Sequence, residues 1–206
     1  MPDSDRPQLY LITPPVFDAD TFPATLARVL DGTQVACLRL ALAGRDIDAI
    51  ARSADALREV AHARDVALVI ETHALLVPRL GLDGVHLTDG ARNIRKLRKD
   101  LGADAIIGAA CGVTRHEGIA AAEAGADYVC FGPVGETGLG DGSRAEADLF
   151  DWWSEMIEVP VVAEGALTPD VVARLGPVTD FFAVGEEIWH SDDPLAALRH
   201  LLAPLG

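Results

Sequence analysis

The residues best suited to chemistry in this chain are one arginine and a set of acids placed where apolar runs end. Arg39 stands inside Cys37-Leu38-Arg39-Leu40-Ala41, and Glu71, Glu164 and Glu186 fall at or near the close of runs that read as strands. Glu136 and Thr137 open a connection, Gly135–Ala147, rich in Gly and acidic residues. Asp89 follows the strand-like Gly84–Thr88, which carries His86. Acids gathered at one rim suit a cationic or hydroxyl-bearing group and oppose a phosphate. Two like charges about 4 Å apart repel by roughly 4 kcal/mol at an effective dielectric near 20. Other devices are missing: no G-x-S-x-G elbow, no G-x-x-x-x-G-K-[ST] loop, no G-x-G-x-x-G after the first strand. His190 and His200 lack zinc-ligand spacing. Cys37, Cys111 and Cys130, each inside an apolar run, read as buried reduced thiols rather than as a disulfide or metal site.

A repeated phrase supplies the elements that must position these residues. A small residue, then Asp, then a β-branched or aromatic run recurs at Gly81–Thr88, Gly102–Gly108 and Gly125–Gly132, and more loosely at Val178–Gly185. Asp83, Asp104 and Asp127 are 21 and 23 residues apart. That period suits one helix ending near a Gly, followed by one buried strand. Eight strands are expected at Gln8–Thr13, Val35–Leu42, Ala67–Thr72, Gly84–Thr88, Ala105–Cys111, Tyr128–Val134, Pro160–Gly165 and Phe181–Glu186. Most are continuous apolar runs, as in strands covered on both faces. Between them lie helical stripes such as Ile47, Ile50, Ala54, Leu57 and Ala61. Thr168-Pro169 and Asp193-Pro194 read as N-caps with Pro at the first helical position. Eight such units close a parallel sheet into a barrel, with its chemistry at the C-terminal ends of the strands.

Size and charge bound the function. At 206 residues the chain fits one domain spanning 1–206, and with half its residues hydrophobic it can bury a large core. The net charge of −15 excludes nucleic acid and anionic membrane surfaces as natural partners. No apolar run reaches the roughly 20 residues of a membrane span, and the Met1–Pro7 start lacks a basic-then-apolar leader pattern, so the cytoplasm is the expected location. Ala91–Leu101 carries Arg92, Arg95, Lys96, Arg98 and Lys99, which suits a solvated helix face better than an anion site. Trp152-Trp153 beside Met156 reads as a packed helix face or a subunit contact, which leaves homo-oligomers open.

Leu9-Tyr10-Leu11-Ile12-Thr13, Asp83-Gly84-Val85-His86-Leu87 and Gly125-Ala126-Asp127-Tyr128-Val129 with Gly132-Pro133-Val134 resemble thiamine phosphate synthase and its relative TenI. Val161-Val162-Ala163, Gly165 and Ala183-Val184 continue the match in order, from about residue 8 to residue 200. The resemblance implies an α/β fold, a single (β/α)8 TIM barrel. It also implies one of two activities. The synthase joins a pyrimidine methyl pyrophosphate to a thiazole phosphate with Mg2+ on the pyrophosphate; TenI relatives aromatise the thiazole. Loss of pyrophosphate concentrates negative charge, so that chemistry demands cations and a metal.

Against the family pattern this chain departs at the points that handle anions. The second-strand Gln-x-Arg-x-Lys is reduced to Arg39, which is left either to bind an anion or to pair with Glu71. The two metal carboxylates are replaced by Thr72 and Ala91, with Glu71 and Asp89 displaced beside them. Mg2+ strongly prefers anionic oxygen, so no metal site and no cofactor is predicted. Thr137 survives from Thr-x-Thr-Lys, Glu164-Gly165 stands in place of Gly-Gly, and Gly185-Glu186 in place of Val-Ser. The resemblance assigns chemical roles to His86 and Thr137. Ligand contacts fall to Arg39, Glu71, Asp89, Glu136, Glu164, Gly165, Gly185 and Glu186. Glu136, Glu164 and Glu186 are expected to face the mouth, unless they turn outward or pair with Arg39, Arg79 or Arg144. The reading is a divergent family member that binds a thiazole, pyrimidine or thiamine-like molecule, its pyrophosphate displacement weakened or lost. An active form would be a transferase or a TenI-like isomerase. The alternatives are a working synthase with a rearranged site and a non-catalytic regulatory or partner-binding barrel.

Overall fold

The computed structural model describes residues 6–138 and 142–206, and in it eight parallel strands close into a barrel in chain order. Most of the Met1–Pro7 start and part of the Gly135–Ala147 connection (Leu139, Gly140 and Asp141) lie outside the described residues. The strands are β1 (Gln8–Ile12), β2 (Cys37–Leu40), β3 (Ala67–Glu71), β4 (Gly84–Leu87), β5 (Ile106–Ala110), β6 (Tyr128–Phe131), β7 (Val161–Glu164) and β8 (Phe181–Val184). Around them run α1 (Phe22–Gly32), α2 (Ile47–His62), α3 (Leu76–Leu80), α4 (Ile94–Leu101), α5 (Arg115–Ala124), α6 (Ala147–Met156), α7 (Pro169–Leu175), α8 (Glu186–Trp189) and α9 (Pro194–Leu202). The architecture is the (β/α)8 TIM barrel expected from the repeat.

Side-chain alternation along each strand divides the core in two. Leu11, Leu38, Leu68, Val85, Ile107, Val129, Ala163 and Phe182 face the helices in the outer layer. Tyr10, Cys37, Val69, Tyr128, Cys130, Val162 and Ala183 fill the barrel itself. All three cysteines are free and buried, and burial pushes the Cys37 and Cys111 thiols up to about 12. Phe150 and Trp153 are buried as well, and Trp152 lies under the Arg115 guanidinium at 4.8 Å. Trp153 therefore packs into the core, while Trp152 is half-buried and Met156 beside the pair is exposed. Among the described residues, no helix is long and apolar enough to cross a membrane.

The aspartates of the repeat have a shared task at the N-terminal face. Asp83, just ahead of β4, accepts the Leu68 N–H of β3 at 2.7 Å. Asp127, ahead of β6, accepts Ile107 N–H of β5 at 2.7 Å, and Asp180, ahead of β8, accepts Val161 N–H of β7 at 2.8 Å. Each carboxylate satisfies a backbone donor at the start of the preceding strand. Asp104 stands two residues ahead of β5. Arg98 of the basic helix grips the Ala105 carbonyl and Asp127, so part of that charge is a clamp rather than a solvated face. The expected caps form: Thr168 Oγ1 accepts from Val171 N and Asp193 Oδ1 from Ala196 N.

Candidate functional site

Inward-facing positions near the C-terminal ends of the strands carry polar groups where the lower barrel carries apolar ones. Arg39 on β2 is only 4% exposed, and a charge so deep requires partners. Its Nη2 donates to Glu164 Oε1 at 2.7 Å, and its Nε lies 3.5 Å from Glu71 Oε2 without a hydrogen bond. Its Nη1 donates to His86 Nε2 at 2.7 Å. With that nitrogen accepting, His86 carries its proton on Nδ1 and donates it to the Tyr128 hydroxyl at 2.9 Å. Tyr128 and Tyr10 share a further hydrogen bond of 2.8 Å. A chain of polar contacts thus runs from the packed interior to the mouth.

One small residue makes this chain of contacts fit. β4, β5 and β6 are in register at His86, Gly108 and Tyr128. A Cβ on Gly108 would lie 1.9 Å from the Tyr128 ring, so only the bare glycine lets the ring cross to His86.

Electrostatics follow from burial and from Arg39. Burial, then the adjacent guanidinium, push His86 down to about 3, so the imidazole is neutral. Burial would raise the Glu164 carboxyl, but Arg39 outweighs it and holds that group at about 2. Glu71 goes the other way: burial raises it more than Arg39 lowers it. Cys130 donates its thiol proton to Glu164 Oε2 at 2.9 Å, and its own acidity is suppressed by burial and by that carboxylate.

A pocket of about 640 Å3 opens above Arg39, lined by Arg39, Glu71, Glu136, Thr137, Glu164, Gly165, Gly185 and Glu186 among others. Eight of the ten residues singled out in the sequence therefore meet in one cavity. Asp89 lines a neighbouring cavity of about 850 Å3, which shares Glu164 and Gly165 with the first. His86 lies beneath the pocket floor, 1% exposed, in contact with Arg39.

The three glutamates do not act as one free acidic rim. Glu164 is neutralised by Arg39, Glu136 is almost wholly exposed with Arg144 at 3.6 Å, and Glu186 is exposed at the edge. The carboxylate turned toward the strand ends is Glu187, which sequence reasoning passed over. Its Oε2 accepts Gly185 N–H at 2.8 Å and its Oε1 accepts Leu167 N–H at 3.1 Å. Tyr128 and Tyr10 were also missed, though their parity with Arg39 and His86 on inward positions was a usable signal.

At the two positions where the resemblance places metal carboxylates, Thr72 is a neutral hydroxyl and Ala91 has no side-chain oxygen, while Glu71 faces Arg39 and Asp89 accepts from Asn93 Nδ2 at 3.2 Å. Among the described residues, no three or more His, Cys, Asp or Glu side chains converge to hold a metal ion.

Comparison with known proteins agrees with the barrel and its strand motifs. The family model described as thiamine monophosphate synthase matches residues 9–187. A protein of Rhodospirillum centenum named thiamine-phosphate synthase is 42% identical over 194 residues, covering 93% of this chain and 94% of that one. Another of that name, from Erythrobacter litoralis, is 37% identical over 195 residues, covering 92% and 91%. Among solved structures, the thiamine phosphate pyrophosphorylase of Pyrococcus furiosus superposes with a TM-score of 0.80 at 22% identity, covering 96% and 95% of the two chains. That likeness bears on the fold; the sequence matches bear on descent. The chain belongs to the thiamine phosphate synthase/TenI family.

Proposed function

We propose that this barrel binds a thiazole, pyrimidine or thiamine-like molecule in its mouth and that its capacity to displace pyrophosphate is weakened or lost. The observation that carries this reading is the state of Arg39. It is the cation of the pocket lining, and Glu164 and Glu71 already face it. Two carboxyl groups against one guanidinium leave no excess of positive charge at the centre of the site. Pyrophosphate departure needs the reverse, preorganised positive charge where the leaving oxygens develop theirs. The displaced carboxylates Glu71 and Asp89 supply no substitute metal site in this reading.

What the pocket offers instead is orientation. The Nε–H of Arg39 is buried without a hydrogen-bond acceptor and faces Glu71 Oε2 at 3.5 Å, so the guanidinium is held within the wall rather than offered to a ligand. Thr137 adds a hydroxyl, Glu186 a carboxylate at the rim, and Gly165 a wall where backbone can approach closely. His86 and Tyr128 hold the guanidinium in place from below, a positioning role rather than contact with substrate. The cytoplasm, where small-molecule biosynthesis of this kind is housed, is the proposed location.

A second reading, a working synthase with a rearranged site, is favoured by the name of the relative at 42% identity. Turnover separates the two. Purified protein is given the pyrimidine pyrophosphate, the thiazole phosphate and Mg2+, and thiamine phosphate is quantified. The proposal expects little or no product, with thermal shifts from thiazole or pyrimidine ligands alone. Mg2+-dependent turnover near the 1–1000 per second common to enzymes would overturn it.

A further inference from the structure

We propose that the chain pairs with a second copy of itself through the side of the barrel formed by α4, α5 and α6, the basic α4 of each copy lying against the acidic α6 of the other. On a chain of net charge −15, α4 is an exception. Arg92, Arg95, Lys96 and Lys99 are exposed, and among the described residues none of them forms an ion pair. Their spacing, i, i+3, i+4 and i+7, gathers them on one side of the helix. Arg98 is the cation turned inward, to Asp127 and the Ala105 carbonyl. The α6 segment is the converse. Asp148, Asp151 and Glu155 are exposed at the spacing of Arg92, Arg95 and Lys99, and Glu158 follows just past the helix. Arg115 of α5 lies 3.6 Å from Asp148, whereas Asp151, Glu155 and Glu158 form no ion pair among the described residues. Met156, 62% exposed, and the half-buried Trp152 add apolar surface among these acids.

A single copy cannot join the two surfaces, because α5 stands between them. A second copy can. The helices of such a barrel all run from the mouth toward the base, so Arg92 and Asp148 lie near the mouth, and Lys99 and Glu155 nearer the base. A two-fold axis outside α5 and parallel to the barrel axis keeps those heights and exchanges left for right. It sets α4 opposite the partner's α6 at both edges, cation against acid from mouth to base. The face is thus self-complementary, as a closed two-fold pair requires. Side-chain length fits the same geometry. Two convex walls touch along α5 and recede on either side of it. At mid-length α5 presents the half-buried Ile119 and Ala120, between His116 and Glu123, while the receding flanks carry the longer Arg, Lys, Glu, Met and Trp side chains. Both mouths then open on the same side of the dimer, uncovered.

Sedimentation equilibrium of the full chain tests the pairing, and a reversible dimer is expected at micromolar concentration. Arg95→Glu with Lys99→Glu, or Asp151→Lys with Glu155→Lys, sets like charges against each other at both edges, and either pair should raise the dissociation constant about a hundredfold or more. All four positions are exposed, so both double variants should keep the parent's circular dichroism. One variant is acidic on both flanks of the face and the other basic on both. Mixed in equal amounts, they should form a heterodimer although neither pairs with itself. A parent chain that stays monomeric up to submillimolar concentration would overturn the proposal, as would a dimer indifferent to both double variants. A dimer weakened by the α4 pair alone would set some other acidic surface against α4 and overturn the pairing with α6. So would a mixture of the two folded variants that remains monomeric.

Discussion

His86→Gln should remove most of the acid sensitivity of this protein between pH 7 and pH 5. The folded imidazole is fully enclosed, accepts from Arg39 and donates to Tyr128, and is held at about 3 against an ordinary value of 6.5. Unfolding frees it to take a proton. Across the window between those two values the unfolded chain therefore binds the extra proton, and stability falls as pH falls. His86 contributes its full stability above pH 6.5 and loses it progressively toward pH 3. Integrated from pH 7 to pH 5, the loss is about 2 kcal/mol. For a chain of this size that lowers the melting temperature by about 4–8 °C.

Glutamine retains an acceptor for Arg39 and a donor for Tyr128, and does not titrate. Glu164, held at about 2, has its own window below its ordinary 4.5 and contributes little above pH 5. Glu71, raised, works with the opposite sign, but it is present in both proteins and drops out of the comparison. Urea unfolding at half-unit pH steps gives the slope. A glutamine variant that loses as much stability from pH 7 to pH 5 as the parent would show that His86 is not the group responsible, and that the buried neutral imidazole is a wrong account of the interior.

Two further outcomes follow from the same contacts. Arg39→Met should cost about 1–3 kcal/mol in urea unfolding, because it leaves the half-buried Glu164 without its cation; adding Glu164→Met should recover much of the loss, and a double variant as unstable as the single one would refute the pairing. Asp180→Ala should cost about 1–3 kcal/mol and speed hydrogen exchange at the Val161 amide, which loses its acceptor; an unchanged exchange rate would mean that the carboxylate does not cap β7.

The barrel was legible because burial on both faces writes itself into the sequence as unbroken apolar runs between Gly-Asp punctuation. Strand ends were less legible. Tyr128–Val134 was expected as one strand, yet β6 stops at Phe131, because Val134 stays buried in the mouth loop after pairing has ended. Apolarity reports burial, not hydrogen bonding. The site divides in the same way. Arg39, Glu71 and Glu164 could be placed at one end of the barrel from strand order alone. Which acid Arg39 would choose depended on the geometry across the barrel, from β2 to β7, which no local pattern encodes. Glu186 and Glu187 are adjacent and chemically identical, and only the first turn of α8 decides that the second one folds back onto Gly185. Tyr128 was read as an apolar strand residue; its role depends on the empty place that Gly108 leaves on β5, three strands along from Arg39.

The aspartates that cap preceding strands make this barrel an assembly of quarters. Each carboxylate reaches back 15, 20 or 19 residues to close its own β-α-β pair: β3 with β4, β5 with β6, β7 with β8. The loops so closed are short, and short loops cost little entropy to form. β1 and β2 lack this clasp; Ala36 stands where the aspartate would be, offering only its backbone N–H to Leu9. The first pair is thus the seam, joined to the rest chiefly by pairing with β8 and β3. New chain ends introduced between quarters, as in a circular permutant opened between β4 and β5, leave every clasp intact. A cut inside a quarter, between β5 and β6, turns a local contact into one that must span the whole permuted chain. The spacing that first marked this sequence is in this sense also a map of where the chain can be opened.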